Sequence, residues 1–578
     1  MRLCSRGSNG RSGFSGRIGF SGRIGFWWRS GFRWRGALIA AALLLGLLPA
    51  AFSQEAPAGS RYSGPPAEPE YWPEPTHFVG PEGDDDHDGL SPQRPWKTLD
   101  HAIAQLEPGD TLGLLDGDYT LETTGMLRID ARDGGSARHG RRDQPIHVRA
   151  VHERRAILHS NGLVPAIRVL NARFWNILGL TAVGQDRSTT RRGNYHLVAV
   201  HLARDVSLKR ILAIHSNRLG YNSNNHVYMV SNSRHVTLEE CEAYQHHRHA
   251  FIAWQSEHIT FRRCYVNPRE HFRDTGGDPR LERAIGHRRF ADEGIAFYRS
   301  SWGRVENSVI EGRNVGFHAH GGMTFANNRG GCYNHFLGCI ALNTYHASRI
   351  DARPAPGGEA WPAIGNVFRD FLVIGSHGGI GLWYSTVNDQ LAENVTIYRG
   401  AGTGFQADSR SRPPCRTVTR WGGCRHVLRN ALVFDREGGG IVTTPHYEYR
   451  IEYCNAWNNA GGDFRPQETI DDAQGNIRHS MSVQPTGMGL GPGEAIVFVP
   501  PDSNMKGAGR DGADIGANLL YRYVDGQLTS NPLWDPDSGA FPHGARVAGI
   551  NDQPGDSLFD LHRRLNIGGQ GAPLPYAR

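Results

Sequence analysis

A unit of about 23 residues recurs along this chain, and it leaves few folds open. One copy is HVYMVSNSRHVTLEECEAY, from His226 to Tyr244, and the next is AFIAWQSEHITFRRCYV, from Ala250 to Val266. Each is a short apolar strand, a serine-containing bend, and a second strand with an apolar residue three places before an anchor. The anchors align as Cys241, Cys264, Ser308, Cys339, Phe371, Asn394, Asn430 and Cys454, with spacings of 23, 44, 31, 32, 23, 36 and 24. Their apolar partners are Leu238, Phe261, Val305, Phe336, Phe368, Leu391, Val427 and Ile451. A constant minimum with variable excess describes stacked turns from which loops of different length project.

Within each unit Val, Ile, Phe and Tyr alternate with polar residues over four to six positions, and Gly, Asn or Ser interrupts them. That is one coil of an all-β, single-stranded, right-handed parallel β-helix. A coil cannot bury its apolar side alone, and stacking pairs each strand with the one above. Right-handedness is the rule for parallel crossovers. The Leu and Asn framework of leucine-rich repeats is missing. The anchors place Cys241, Cys264, Cys339 and Cys454 inside the coils, at a position that Asn fills elsewhere. Cys415 and Cys424 sit nine apart in an insertion and could pair as a disulfide.

The run ALIAAALLLGLL (37–48) follows Arg-rich sequence and precedes small residues, the pattern of a secretory signal peptide. It is too short for a spanning helix. Residues 1–53 are therefore expected to be a leader, exporting the chain to the periplasm or medium with no membrane span in the mature form. Removing the leader's eight Arg from 63 basic residues leaves 55 against 57 acidic ones, a balance that gives no reason to expect a nucleic-acid partner. Residues 54–80 read as a Pro-rich linker, 81–120 as an N-terminal lead-in and cap, 121–470 as the coils, and 471–578 as a C-terminal capping segment and tail. The chain is expected to act as a monomer.

In the lead-in, Asp84, Asp86, Asp88 and Gly89 match the first half of a calcium loop, but position twelve is Pro95 where a bidentate Glu belongs. Calcium is therefore a possible cofactor, with those three carboxylates as its ligands. Thr98 is the expected N-cap of a helix running to Leu106 and covering the open end of the first coil. The Gly/Asp-rich turn, Pro95-Trp96-Lys97-Thr98-Leu99, Pro108-Gly109-Asp110-Thr111 and Gly117-Asp118-Tyr119 resemble the start of secreted right-handed parallel β-helix proteins of the pectate-lyase-like and alginate-lyase-like kind. The stretch 509–534 resembles their closing segment. The resemblance spans about residues 76 to 535 and implies the fold and polysaccharide as partner. A shared fold does not set the chemistry.

Alternation sorts the first strand of each coil into inward and outward residues. Inward are Val227/Met229, Phe251/Ala253, Ile295/Phe297, Phe317/Ala319, Ile380/Leu382, Phe405/Ala407 and Ile441/Thr443. The outward set then forms a row of Val230, Trp254, Tyr298, His320, Trp383, Asp408 and Thr444. Between His320 and Trp383 the sequence shows no clear partner strand. Aromatic rings beside His and Asp suit a sugar ring, and the long insertions 267–293, 347–365 and 409–424 could wall a groove. Expected substrate contacts are Trp254, Trp383, Asp408, Gln406, Glu293 and His249.

The leading reading is a lyase that cleaves a uronic-acid polysaccharide by β-elimination. It needs a base for the C5 proton, a cation for the carboxylate and an acid for the leaving oxygen. His318 or His320, Arg299 and Tyr298 fit those roles. Relatives of the resembled kind often use Lys or Arg with calcium, but Lys209 is the one lysine in the coils and has no acidic cluster beside its strand. Alternatives are a glycoside hydrolase pairing Asp292 or Glu293 with Asp408, a C5-epimerase, whose histidine strand GFHAHGG (316–322) resembles, and a non-catalytic carbohydrate-binding or surface β-helix.

Overall fold

The computed structural model describes residues 73–533, apart from 185–195, 215–224, 268–292, 322–330, 353–362, 409–424, 444–447 and 466–476 and short gaps at 245, 247, 313–314, 384–386, 492–493, 497–498, 501, 518 and 520. The leader and the Cys415/Cys424 pair lie outside these residues. Nearly every strand pairs in parallel with its equivalent one coil on. A twelve-stranded sheet runs from Leu127–Asp130 to Phe464–Arg465, and a 23-stranded sheet supplies the other walls. This is the parallel β-helix that the repeat predicts. Thr98 caps the helix Leu99–Gln105, its hydroxyl accepting from the His101 N–H at 3.3 Å. Leu99, Ala102 and Ile103 on that helix are buried in the same core as the coils. Among the described residues no helix is long and apolar enough to cross a membrane.

The anchors are interior. Cys241, Cys264, Cys339 and Cys454 are fully buried free thiols. Cys264 Sγ lies 3.4 Å from the Leu238 carbonyl and 3.5 Å from that of Arg262. Burial pushes the Cys241, Cys339 and Cys454 thiols up to about 12, which keeps them protonated and inert. Two anchors are displaced by one residue. Phe371 is in register with Val395, and Val395 with Ala431, so the interior positions are Val395 and Ala431 rather than Asn394 and Asn430. The asparagines occupy the bend before the anchor, where Asn307, Asp370, Asn394 and Asn430 have φ of 48°, 49°, 53° and 50°. Asn and Asp tolerate this left-handed bend better than most residues. Their side chains join successive coils: Asn430 Nδ2 donates to Asn394 Oδ1 at 3.0 Å, and Asn394 Nδ2 to Asp370 Oδ1 at 3.2 Å.

The C-terminal segment first adds to the last coil, Ile477 pairing with Ile451 and Met481 N donating to the Cys454 carbonyl at 2.8 Å, and then runs as a strap along the flank. Val499, Met505, Ile515, Ala517 and Leu519 pack on outward Tyr265, Val309, Ile340, Leu372, Tyr398 and Leu432. The strap runs backwards over the coils: Arg510 N donates to Asn430 Oδ1 at 2.8 Å, Ala517 N to Thr396 Oγ1 at 2.8 Å and Tyr523 N to Asn307 Oδ1 at 2.8 Å. It ends on Glu306, which is fully buried and accepts from Asp525 N at 3.2 Å, Gly526 N and Arg262 Nε at 2.8 Å. Glu306→Ala is expected to leave the Asp525 and Gly526 N–H groups without their acceptor and to remove one of Arg262's ion pairs, costing about 1–3 kcal/mol. Limited proteolysis should then cut first within residues 502–533, which denaturation alone would not single out.

Candidate functional site

The outer face of the twelve-stranded sheet carries the unusual side chains. Its central strands are His196–His201, His226–Ser231, His249–Trp254, Glu293–Tyr298, Val315–Gly321, His346–Ala352, Gly378–Trp383 and Phe405–Asp408. At the start of these strands two consecutive residues face the core: Leu197 with Val198, Val227 with Tyr228, Ala250 with Phe251. Gly294 occupies the equivalent position, where a Cβ would stand 2.7 Å from Ile310 Cδ1. The residue before each pair is thereby turned outward, so His226, His249 and Glu293 share the face of Trp254 and Tyr298. They are also adjacent in register, His226 with His249 and His249 with Glu293.

These residues form one hydrogen-bonded relay. Tyr298 Oη lies 2.8 Å from both carboxylate oxygens of Glu293, five residues back on its own strand, so the ring lies along the strand over Ala296. Glu293 also pairs with His249 Nε2. His249 Nδ1 is 2.9 Å from His226 Nδ1, so one of the two carries the shared proton. The His226 ring is 4.9 Å from His196, stacked at 10°. His226, His249 and Glu293 are 3%, 1% and 3% exposed, and Tyr298 forms the half-buried end of the relay. Burial, then the charges of His249, His196 and Arg248, hold His226 well below the usual imidazole range, so it stays neutral.

Trp254 and Arg299 flank the phenol. Trp254 is in register with Tyr298, with ring centroids 5.7 Å apart. Arg299 sits at the corner after Tyr298 with φ of 53°, and its guanidinium lies 5.4 Å over the Trp254 ring. Burial lowers the Arg299 guanidinium below its ordinary value. A cation, an aromatic platform and a phenol backed by a carboxylate thus occupy two neighbouring strands.

Register places the remaining expected residues. His320 pairs with Tyr298 and His318 with Ala296. His320 pairs in turn with Asp351, Asp351 with Trp383, and Trp383 with Asp408, while Gln406 pairs with Gly381. The strand His346–Ala352 fills the place left open between His320 and Trp383, inserting Asp351 into the row and Arg349 beside His318. One strand is corrected by a residue. Val230 pairs with Ala253 and is buried, as is Tyr228, so Ser231 stands in the row and Met229 beside it. Thr444 lies outside the described residues.

His226 and Asp351 are the residues that sequence reasoning missed. His226 and His249 are 23 residues apart, the spacing that separates Cys241 from Cys264, and that match was the available signal. Asp84, Asp86 and Asp88 do not converge. The Asp84 carboxylate accepts from Asp86 N at 3.0 Å, while Asp88 accepts from Leu90 N at 3.1 Å and Arg94 Nε at 3.3 Å. It is Asp85, between them, that accepts from Lys97 N, Thr98 N and Thr98 Oγ1. Among the described residues no group of three His, Cys, Asp or Glu could hold a metal ion.

No protein-family model and no curated protein matches this chain. Among solved structures it is similar to the catalytic domain of a GH87 α-1,3-glucanase in complex with tetrasaccharides, at 13% identity over 73% of this chain and 70% of that one, with a TM-score of 0.47. It is also similar to pectate lyase Pel9A (15% identity, 77% and 96% covered, TM-score 0.37). A third is a PL6 family polysaccharide lyase from Pseudopedobacter saltans (12% identity, 66% and 90% covered, TM-score 0.40). The fold of this chain is fixed by the register of its own strands.

The buried imidazoles give the protein a pH signature. Burial holds His426 down to about 3, against an ordinary 6.5, and holds His226 low as well. Both stay neutral when folded and gain protons when unfolded, so their contribution is complete above 6.5 and is lost as the pH falls towards the folded values. Each should remove about 1.4 kcal/mol of stability per pH unit below that point. Urea denaturation between pH 7 and 5 should show this decline, and His226→Gln should lessen its slope while the His426 share remains.

Proposed function

We propose that this chain is an enzyme that cleaves an acidic polysaccharide by β-elimination on the outer face of the twelve-stranded sheet. The observation that carries the reading is Tyr298 Oη, 2.8 Å from both oxygens of the buried Glu293, with His249 behind and Trp254 and Arg299 beside it. Trp254 offers a flat apolar platform to a sugar ring. Arg299 meets the uronate carboxylate and stabilises the charge that develops as the C5 proton leaves. His320, or His318 beside it, takes that proton, and Tyr298 gives its own to the leaving oxygen. Glu293, accepting from Tyr298 Oη, orients the phenol towards the leaving oxygen. His320 then releases the C5 proton to solvent and Tyr298 takes one back, which closes the cycle. Trp383, Asp408 and Gln406 extend the binding surface along the later coils, and the leader read in residues 1–53 would export the enzyme to its polymer.

A second reading rests on Asp351 and Asp408. They share one row two strands apart, about 10 Å between Cα atoms at ~4.8 Å per strand. An inverting glycoside hydrolase needs two carboxylates on one face, and this row would supply them.

Turnover of polygalacturonate and alginate separates the two. Elimination predicts an unsaturated ultraviolet-absorbing end for every new reducing end. Tyr298→Phe should then lower kcat by about 10²- to 10⁴-fold with the fold intact, and His318→Ala with His320→Ala should do the same. Unchanged turnover in these variants would overturn the assignment. Reducing ends without unsaturation, abolished by Asp351→Asn, would transfer the activity to the carboxylate pair.

A further inference from the structure

The same sheet face continues past Trp254 towards the first coils, and there it becomes cationic. Arg128 on Leu127–Asp130 is in register with Arg168 on Ile167–Leu170, and Arg168 with Ala199. Leu127, Ile129, Ile167 and Val169 are fully buried, so alternation turns both arginines outward. They stand in line with Ala199, Met229 and Ala296, the row beneath the Tyr298 ring. Arg128 is exposed and Arg168 half-buried.

The patch keeps a net positive charge. Asp130 is the carboxylate beside it, and Arg132 already holds it through Nε at 2.8 Å and Nη2 at 2.6 Å, with Arg128 Nη2 at 3.2 Å. Three guanidiniums therefore stand against one carboxylate. Between the patch and Trp254 the face carries Ala199, Ser231 and Met229 and no charged side chain in these two rows, while His201 is held by its Nδ1, 2.7 Å from Ser231 Oγ. The rows along the coil axis are a straight track, since neighbouring strands keep register from Leu127–Asp130 to Glu293–Tyr298.

We propose that Arg128 and Arg168 form a distal subsite for an anionic group, a carboxylate or a sulfate ester, on a polysaccharide lying along the coil axis. Arg168 is four strands from Tyr298, about 19 Å at ~4.8 Å per strand, so a chain seated on Trp254 reaches the patch several sugar rings away. A guanidinium fork matches both oxyanions through paired hydrogen bonds. The inference rests on the reading that the polymer lies on this face, but does not need β-elimination to be the reaction.

The test compares wild type with the Arg128→Gln/Arg168→Gln double variant, and with the matching Arg→Lys pair, in calorimetric titrations at low and high salt. The probes are polygalacturonate for carboxylate, heparin for sulfate and dextran as neutral control. The double Gln variant should bind the preferred polyanion about tenfold more weakly, with a shallower salt dependence. The Lys pair should keep the charge and part of the affinity. Turnover of trigalacturonate, too short to span the distance, should be unchanged. Loss confined to polygalacturonate assigns a carboxylate, and loss confined to heparin assigns a sulfate. Unchanged affinity for both polyanions overturns the subsite, even if unsaturated products form and the elimination stands. Arginine-dependent binding without unsaturated products keeps the subsite and removes the elimination.

Discussion

Each described coil strand is hydrogen-bonded in register to the equivalent strand one coil away, and the rest of the structure depends on that pairing. It converts a linear repeat into columns of side chains about 4.8 Å apart. A column must then be chemically self-consistent: apolar inward, small where the wall is close, and Asn or Asp where the backbone turns left-handed. Gly294, Gly316 and Gly379 show how tight the constraint is. A Cβ on Gly379 would stand 1.8 Å from the Gly404 carbonyl oxygen, and one on Gly316 would stand 2.4 Å from that of Ala347. Backbone from the next coil leaves no room there for a side chain. The asparagine column costs strained φ angles, and the amide bonds between Asn430, Asn394 and Asp370 offset part of that cost.

The same pairing builds the relay. Two consecutive inward residues at the strand start rotate His226, His249 and Glu293 out of the core and stack them in one column. A buried carboxylate and two buried imidazoles are expensive unless each is satisfied. Glu293 accepts from Tyr298 and pairs with His249, and His249 bonds His226. A hydrophobic column would serve the solenoid at least as well. The polar column is satisfied from residue to residue and ends at a half-buried phenol.

The repeat made the solenoid, the interior cysteines and the register of the Trp254–Tyr298–His320–Trp383–Asp408 row legible from sequence, because each follows from period and alternation, while the cap at Thr98 was legible from N-cap preference. The failures have one physical origin, a local break in strict alternation. In HVYMVS the consecutive inward pair Val227–Tyr228 shifts the parity, so Val230 was read outward in place of Ser231. At Asn394 and Asn430 the left-handed bend sits one residue before the interior position, and the polar residue drew the alignment to itself. The strand HASRIDA (346–352) was hidden because Ser348 takes an inward position, which breaks the apolar signature and conceals Asp351. Glu293 and His249 were recognised as near the groove, but their contact with Tyr298 depends on a ring lying back over Ala296, which no spacing encodes.

The flanks differ from the twelve-stranded face in what their outward residues do. On the wall preceding the anchors, outward residues neutralise one another from coil to coil. Arg262 pairs with Glu306 at 2.8 Å, Arg369 with Glu393 at 3.0 Å, and Arg429 with Glu393 at 3.1 Å and Glu452 at 3.2 Å. On the wall that follows them, outward Tyr265, Leu372 and Leu432 are covered by the strap. The described outward residues of the twelve-stranded sheet are of a different kind. They are an arginine patch, an uncharged stretch, a tryptophan under a guanidinium, and a phenol wired to a buried carboxylate. An extended polymer tracking the coil axis would meet them in that order.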